Sequence, residues 1–157
     1  MSPNDPSIDP LLALAEHAAD FACKKFKDVG EVSPMIIADT ADGHRLVVPT
    51  VLGSAEQKDA VSESLRAQFK AKGVVRYASM TEAWMVVPRS GQPFPGRPST
   101  HPDRREVLLI EAGDKQGRTL AWTYFILRPE HRRPMLRGKK QFDGTSGRFA
   151  NLLKPEA

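Results

Sequence analysis

Cysteine is nearly absent from the chain. Cys23 stands alone, so no internal disulfide can form and nothing calls for an oxidising compartment. Long hydrophobic runs are absent too: no window approaches the roughly eighteen uncharged apolar residues of a membrane-crossing helix. Met1 to Pro6 carries no basic stretch leading into an apolar one, against a secretory leader. These absences give a cytoplasmic protein with no membrane partner as the expectation.

Catalytic and ligand-binding signatures are missing as well. His17, His44, His101 and His131 fall in four separate stretches, with no His-x-His, His-x-x-x-His or Cys-x-x-Cys spacing to bring two metal ligands together. Gly53-Ser54-Ala55 lacks the Gly-x-Ser-x-Gly elbow, and no glycine-rich phosphate loop occurs, so neither a metal nor a cofactor is expected. No repeat recurs at a fixed period, which excludes solenoids and propellers.

What remains is ordinary in bulk. The chain has 157 residues, 27% charged and 40% apolar, enough for one core and too balanced for collagen-like, coiled-coil or wholly disordered classes. Its net charge of +4 is uneven: residues 128–157 hold eight Lys/Arg against three Asp/Glu, leaving 1–127 at −1. One end of the chain is therefore the basic one.

Local patterns predict an α+β fold. Asp9 as N-cap and Pro10 at the first helical position open a helix whose stripe is Leu11, Leu14, Ala18, Phe21, Ala22 and Phe26, ending at Gly30. Two apolar runs, 35–38 and 45–48, flank an Asp42-Gly43 turn and read as a hairpin. Ser54 and Gln57 form a capping box for a second helix with Val61, Leu65 and Phe69 on one face and Gly73 past its end. Residues 74–87 form a long strand, and 106–112 and 118–127 a second hairpin. The expectation is α-β-β-α-β-β-β, a mainly antiparallel five-stranded sheet with two packed helices in a domain of residues 1–127, followed by a basic extension, 128–157. Trp84 and Trp122 are both expected to be buried, because each interrupts a β-rich run among apolar neighbours.

Three segments could carry function. Residues 88–104 contain five prolines and two glycines between two strands, a long stiff loop presenting Arg89, Phe94, Arg97 and His101. The extension ends in Phe149, Leu152 and Leu153 on one face of a short helical turn, suited to docking on this domain or on another protein. Its earlier part offers Arg128, Arg132, Arg133, Arg137, Lys139 and Lys140 to phosphates, though no helix-turn-helix, zinc-finger or RNA-recognition aromatic pattern accompanies them. Glu82 lies inside a β-rich run where a carboxylate needs a partner, with Arg45, Arg76 and Arg118 the candidates. Glu111 in the next strand raises the same question. Cys23 reads as a packing residue at the margin of the first helix's stripe.

The first functional expectation is a non-enzymatic protein-interaction or accessory module, contacting a protein partner or another copy of itself through Arg89, Phe94, Arg97, Phe149, Leu152 and Leu153. The alternative is a weak nucleic-acid-associated protein using the basic extension. The further alternative is an enzyme of unnamed reaction centred on Glu82 and the Pro-rich loop.

Overall fold

The computed structural model describes residues 9–50, 55–85, 102, 104–143 and 152–153. Two helices, α1 (Pro10–Val29) and α2 (Ala55–Lys72), accompany six strands: β1 (Met35–Thr40), β2 (Arg45–Pro49), β3 (Val74–Met85), β4 (Arg105–Asp114), β5 (Thr119–Leu127) and β6 (Met135–Asp143). All belong to one sheet of order β2-β1-β3-β4-β5-β6 with every neighbouring pair antiparallel. Since β2 and β3 both run opposite to β1, they are parallel to each other, and α2 is the crossover between them.

The α+β class, the two helices and the antiparallel sheet are as expected, but the strand count is six rather than five. The sixth strand comes from the stretch expected to be a basic extension, and it pairs along β5 from Leu127↔Met135 to Leu120↔Asp143. Alternation did not reveal it because Arg137, Lys139 and Lys140 are exposed on an edge, where cations replace the usual apolar residues. Gly138 adds an irregularity: its φ of 68° is left-handed, and the register slips between Thr123 and Phe125 opposite it.

α1 begins where its cap dictates. The Asp9 carboxylate accepts the Leu11 N–H at 3.0 Å, Pro10 follows, and at the far end the Gly30 N–H reaches the Phe26 carbonyl at 2.7 Å. Leu11, Leu14, Ala15, Ala18, Ala19, Ala22 and Phe26 are buried, whereas Phe21 is 42% exposed. At 3.6 residues per turn Phe21 falls about 100° from the centre of that stripe, so it leaves the core that the spacing alone assigned it. Arg118 ties the helix start to the β4–β5 turn, gripping Asp9 at 2.9 and 3.0 Å and Asp114 at 2.8 Å. That guanidinium holds the Asp9 carboxyl below the usual carboxylate range.

Strand alternation sends successive residues to opposite faces, and the core divides accordingly. Ile37, Ala78, Met80, Leu108, Ile110, Trp122 and Ile126 pack with α1 on one face. Ile36, Ala38, Val74 and Tyr77 pack with Leu65 and Phe69 of α2 on the other. The helices thus lie on opposite faces, α2 over the β2-β1-β3 end among the described residues. There Tyr77 crosses its strand neighbour Gly113, where a Cβ would stand 2.9 Å from the tyrosine hydroxyl, so only glycine fits beneath the ring.

Trp122 is 1% exposed as expected, but Trp84 is 43% exposed. Both point to the α1 face, yet Trp84 stands near the end of β3, past the last turn of α1, and the Arg104 guanidinium stacks 4.9 Å from its ring centroid instead.

Candidate functional site

Glu82 is the carboxylate the sequence singled out, and its partner is a different arginine from those expected. Arg45 and Arg76 both go to Asp39, at 2.8 and 3.2 Å, and Arg118 to Asp9 and Asp114. Glu82 instead lies 3.5 Å from Arg128, which also holds Glu106 at 3.0 Å. The antiparallel register explains this. Trp84 opposes Glu106, and the end of β5 lies beside that part of β4, which brings Arg128 to the same end of the sheet. Burial pushes the Glu82 carboxyl above its ordinary range, partly opposed by Arg128 and by the Val32 N–H. Glu111 is 3% exposed on the opposite face, its carbonyl accepting the Ser79 hydroxyl at 3.3 Å.

The residues assigned to partner binding are scattered. Arg89, Phe94, Arg97 and Phe149 lie outside the described residues, as do His101 and Ser54. Leu152 is 3% exposed in the α2 cluster, its N–H donating to the Tyr77 hydroxyl at 3.4 Å, so it contributes to this domain's own core. Leu153, half-buried, lines with it a cavity of about 720 Å³ beside Phe69, Lys70 and Val74.

The basic residues of the extension do not form one stripe. Arg128 is held by Glu106 and Glu82. Lys139 sits 4.2 Å over the Trp122 ring on the α1 face, while Arg137 pairs with Phe125, whose own neighbour Val107 belongs to the other face. Lys140 pairs with Thr123 on that same opposite face. Arg132 and Arg133 lie in the connection between β5 and β6, where an Arg133 nitrogen donates to the Asp28 carbonyl at 3.2 Å.

Arg132 and Arg133 do meet other residues, in a groove that the sequence did not disclose. It runs between the last turns of α1 and the start of β6, with a volume of about 760 Å³. Cys23, Phe26 and Lys27 form the helix wall, Tyr124 lies on the floor, and Pro134, Met135, Leu136 and Gly138 form the strand wall. The ring of Pro134 approaches Gly30, closing the end. Tyr124 was legible only as one apolar position in a strand; nothing in its neighbours marked it, because it takes on this role through β6, which alternation concealed.

The chemistry of the groove is that of a binding surface. Burial raises the Cys23 thiol above its usual range, outweighing a hydrogen bond with Tyr124 and the more distant charge of Lys139, so the sulfur stays protonated at neutral pH and is a poor nucleophile. Burial likewise raises the Tyr124 hydroxyl. The Trp122 indole N–H faces that hydroxyl closely enough to lower its pKa, yet closes no hydrogen bond of normal geometry. The group hydrogen-bonded to the thiol is thus a neutral phenol, the nearby Asp20 carboxylate pushes both groups up further, and among the described residues no group of three His, Cys, Asp or Glu side chains is placed to hold a metal ion. No helix is long and apolar enough to cross a membrane, among the described residues.

No family model, characterised protein or solved structure matches the chain.

Proposed function

We propose that the chain is a non-enzymatic protein-interaction module that receives an extended segment of a partner along the outer edge of β6, in the groove between that strand and α1. The observation that carries this reading is a coincidence of place. The terminal strand of the sheet, with no described strand beyond it, borders an apolar-floored groove walled on its other side by a helix. A peptide added to such an edge gains main-chain hydrogen bonds, and every second side chain turns toward the α1 face, where a long one can reach over β6 to the groove. Leu136, half-buried on the strand wall and on the α1 face, is the kind of apolar contact such a segment would cover.

Several features weigh against the other readings. A phosphate backbone needs cations presented in a row, whereas Arg128 is neutralised by carboxylates, Arg137 and Lys139 lie on opposite faces, and the cations that do gather, Lys27, Arg132 and Arg133, rim a single groove with an apolar floor. Glu82 sits at an open end of the sheet beside an arginine, an arrangement that structural ion pairs also produce.

Selection from a library of random nine-residue peptides tests the proposal. Enriched peptides should slow hydrogen exchange at β6 amides on binding, and N-methylation of alternate peptide nitrogens should abolish binding by removing the ladder donors. No enrichment over an empty support, or binding indifferent to N-methylation, rejects it. Titration with duplex DNA is the control: tight, salt-sensitive binding would favour the phosphate reading instead.

A further inference from the structure

We infer that the segment received beside β6 is acidic, an extended peptide in which aspartates or glutamates alternate with apolar anchors; this rests on the strand-addition reading above. The arginines of the structure are disposed of in two ways. Arg45, Arg76, Arg118 and Arg128 each lie within 3.5 Å of an aspartate or glutamate of this chain. Among the described residues that line the groove, Lys27, Arg132 and Arg133 are cations and none is a carboxylate, although Asp20 acts on Cys23 and Tyr124 from nearby. The one partner described for Arg133 is the Asp28 carbonyl, a neutral acceptor, and among the described residues no ion pair is formed with Arg132 or Arg133.

Cations left without counter-charges beside an apolar floor are complementary to an anion that also carries apolar side chains. Tyr124 and Leu136, both half-buried, are positioned to cover an apolar side chain, while the rim residues Lys27, Arg132 and Arg133, being exposed, keep their charge in solvent until a carboxylate arrives. Period-two geometry reconciles the two demands. Along an added strand only alternate residues turn into the groove, so one position carries the anchor and its flanking positions carry carboxylates within reach of the rim. A polyanion without apolar anchors would meet the rim and waste the floor.

Cys23 supplies the test, because it is the sole cysteine and lines the groove. Three nine-residue probes share one alternating pattern of apolar and polar positions, with the polar positions filled by Glu, Gln or Lys. Binding is read by fluorescence anisotropy at low salt, and occupancy of the groove by the rate of Cys23 alkylation with iodoacetamide. The Glu probe should bind on the order of tenfold more tightly than the Gln probe, with the Lys probe weakest, and should slow alkylation. R132E/R133E should invert that order while leaving far-ultraviolet circular dichroism unchanged, both side chains being exposed. Equal protection of Cys23 by the Glu and Gln probes would overturn the acidic assignment and leave strand addition standing. Glu-probe binding without protection of Cys23 would overturn it by placing the site elsewhere. If no probe protects Cys23 while library-selected peptides do, charge is not what the groove selects; if neither does, both readings fall.

Discussion

α1 buries seven residues, four of them alanines, on a sheet face whose core runs from Ile37 in β1 to Ile126 in β5, whereas among the described residues α2 covers the other face over β2, β1 and β3 and anchors there through Leu65 and Phe69. Small side chains let a helix approach closely and share its whole length with the sheet; two large ones pin a helix at points. The difference teaches where the fold tolerates change. The α1 layer is continuous and filled, while the α2 layer is local and its helix is mostly solvated.

The largest break in that comparison should come from Trp122→Ala, which empties the largest fully buried side chain from beneath α1 and should lower stability by about 3–5 kcal/mol in urea titration. A loss under about 1 kcal/mol would show that the α1 layer is not the continuous core described. One step smaller, the same added bulk should be felt differently on the two helices. Ala18→Leu, at a site with no exposed area, should cost about 1–3 kcal/mol, and Ala67→Leu, exposed on α2, should stay within about 0.5 kcal/mol. Equal effects would erase the distinction.

Trp84→Ala probes the same face past the end of α1, and should cost less than about 1 kcal/mol despite removing the same side chain as at position 122. Smallest of all is Glu82→Gln. Burial raises the Glu82 pKa in the folded state, so the folded chain holds its proton to higher pH than the unfolded one. Ionisation therefore costs stability, a cost absent below the ordinary carboxylate pKa and complete once pH has risen past the folded value. Glu82→Gln should be slightly stabilising at pH 7, by under about 0.5 kcal/mol after solvent screening, and neutral near pH 3.5. Thermal melts at the two pH values decide it: destabilisation at pH 7 would mean that the Arg128 pairing outweighs burial.

How much of this the sequence disclosed follows from where each signal resides. Caps and turns are local, so Asp9, Pro10, Gly30 and the Asp42-Gly43 hairpin were legible to within a residue or so. Burial of a strand residue depends on what lies above it, which is why Trp122 and Trp84 looked alike in sequence and differ in the fold. Pairing depends on register. Glu82 and Arg128 are 46 positions apart and meet only because three strands lie side by side. β6 was hidden for a third reason: an exposed edge follows solubility rather than alternation. With β6 went the groove, since one of its walls is that strand.

The cationic edge of β6 has a consequence for how the molecule behaves in a crowd. Two copies brought together along this edge would set Arg137, Lys139 and Lys140 against one another, and like charges facing across a ladder repel. The left-handed kink at Gly138 adds a step that a flat, repeating sheet could not follow. An open row of backbone donors and acceptors is a template for fibre growth wherever identical chains can stack on it. Among the described residues the edge of β6 is spoiled for its own kind, and the chain should be a poor seed for polymerisation.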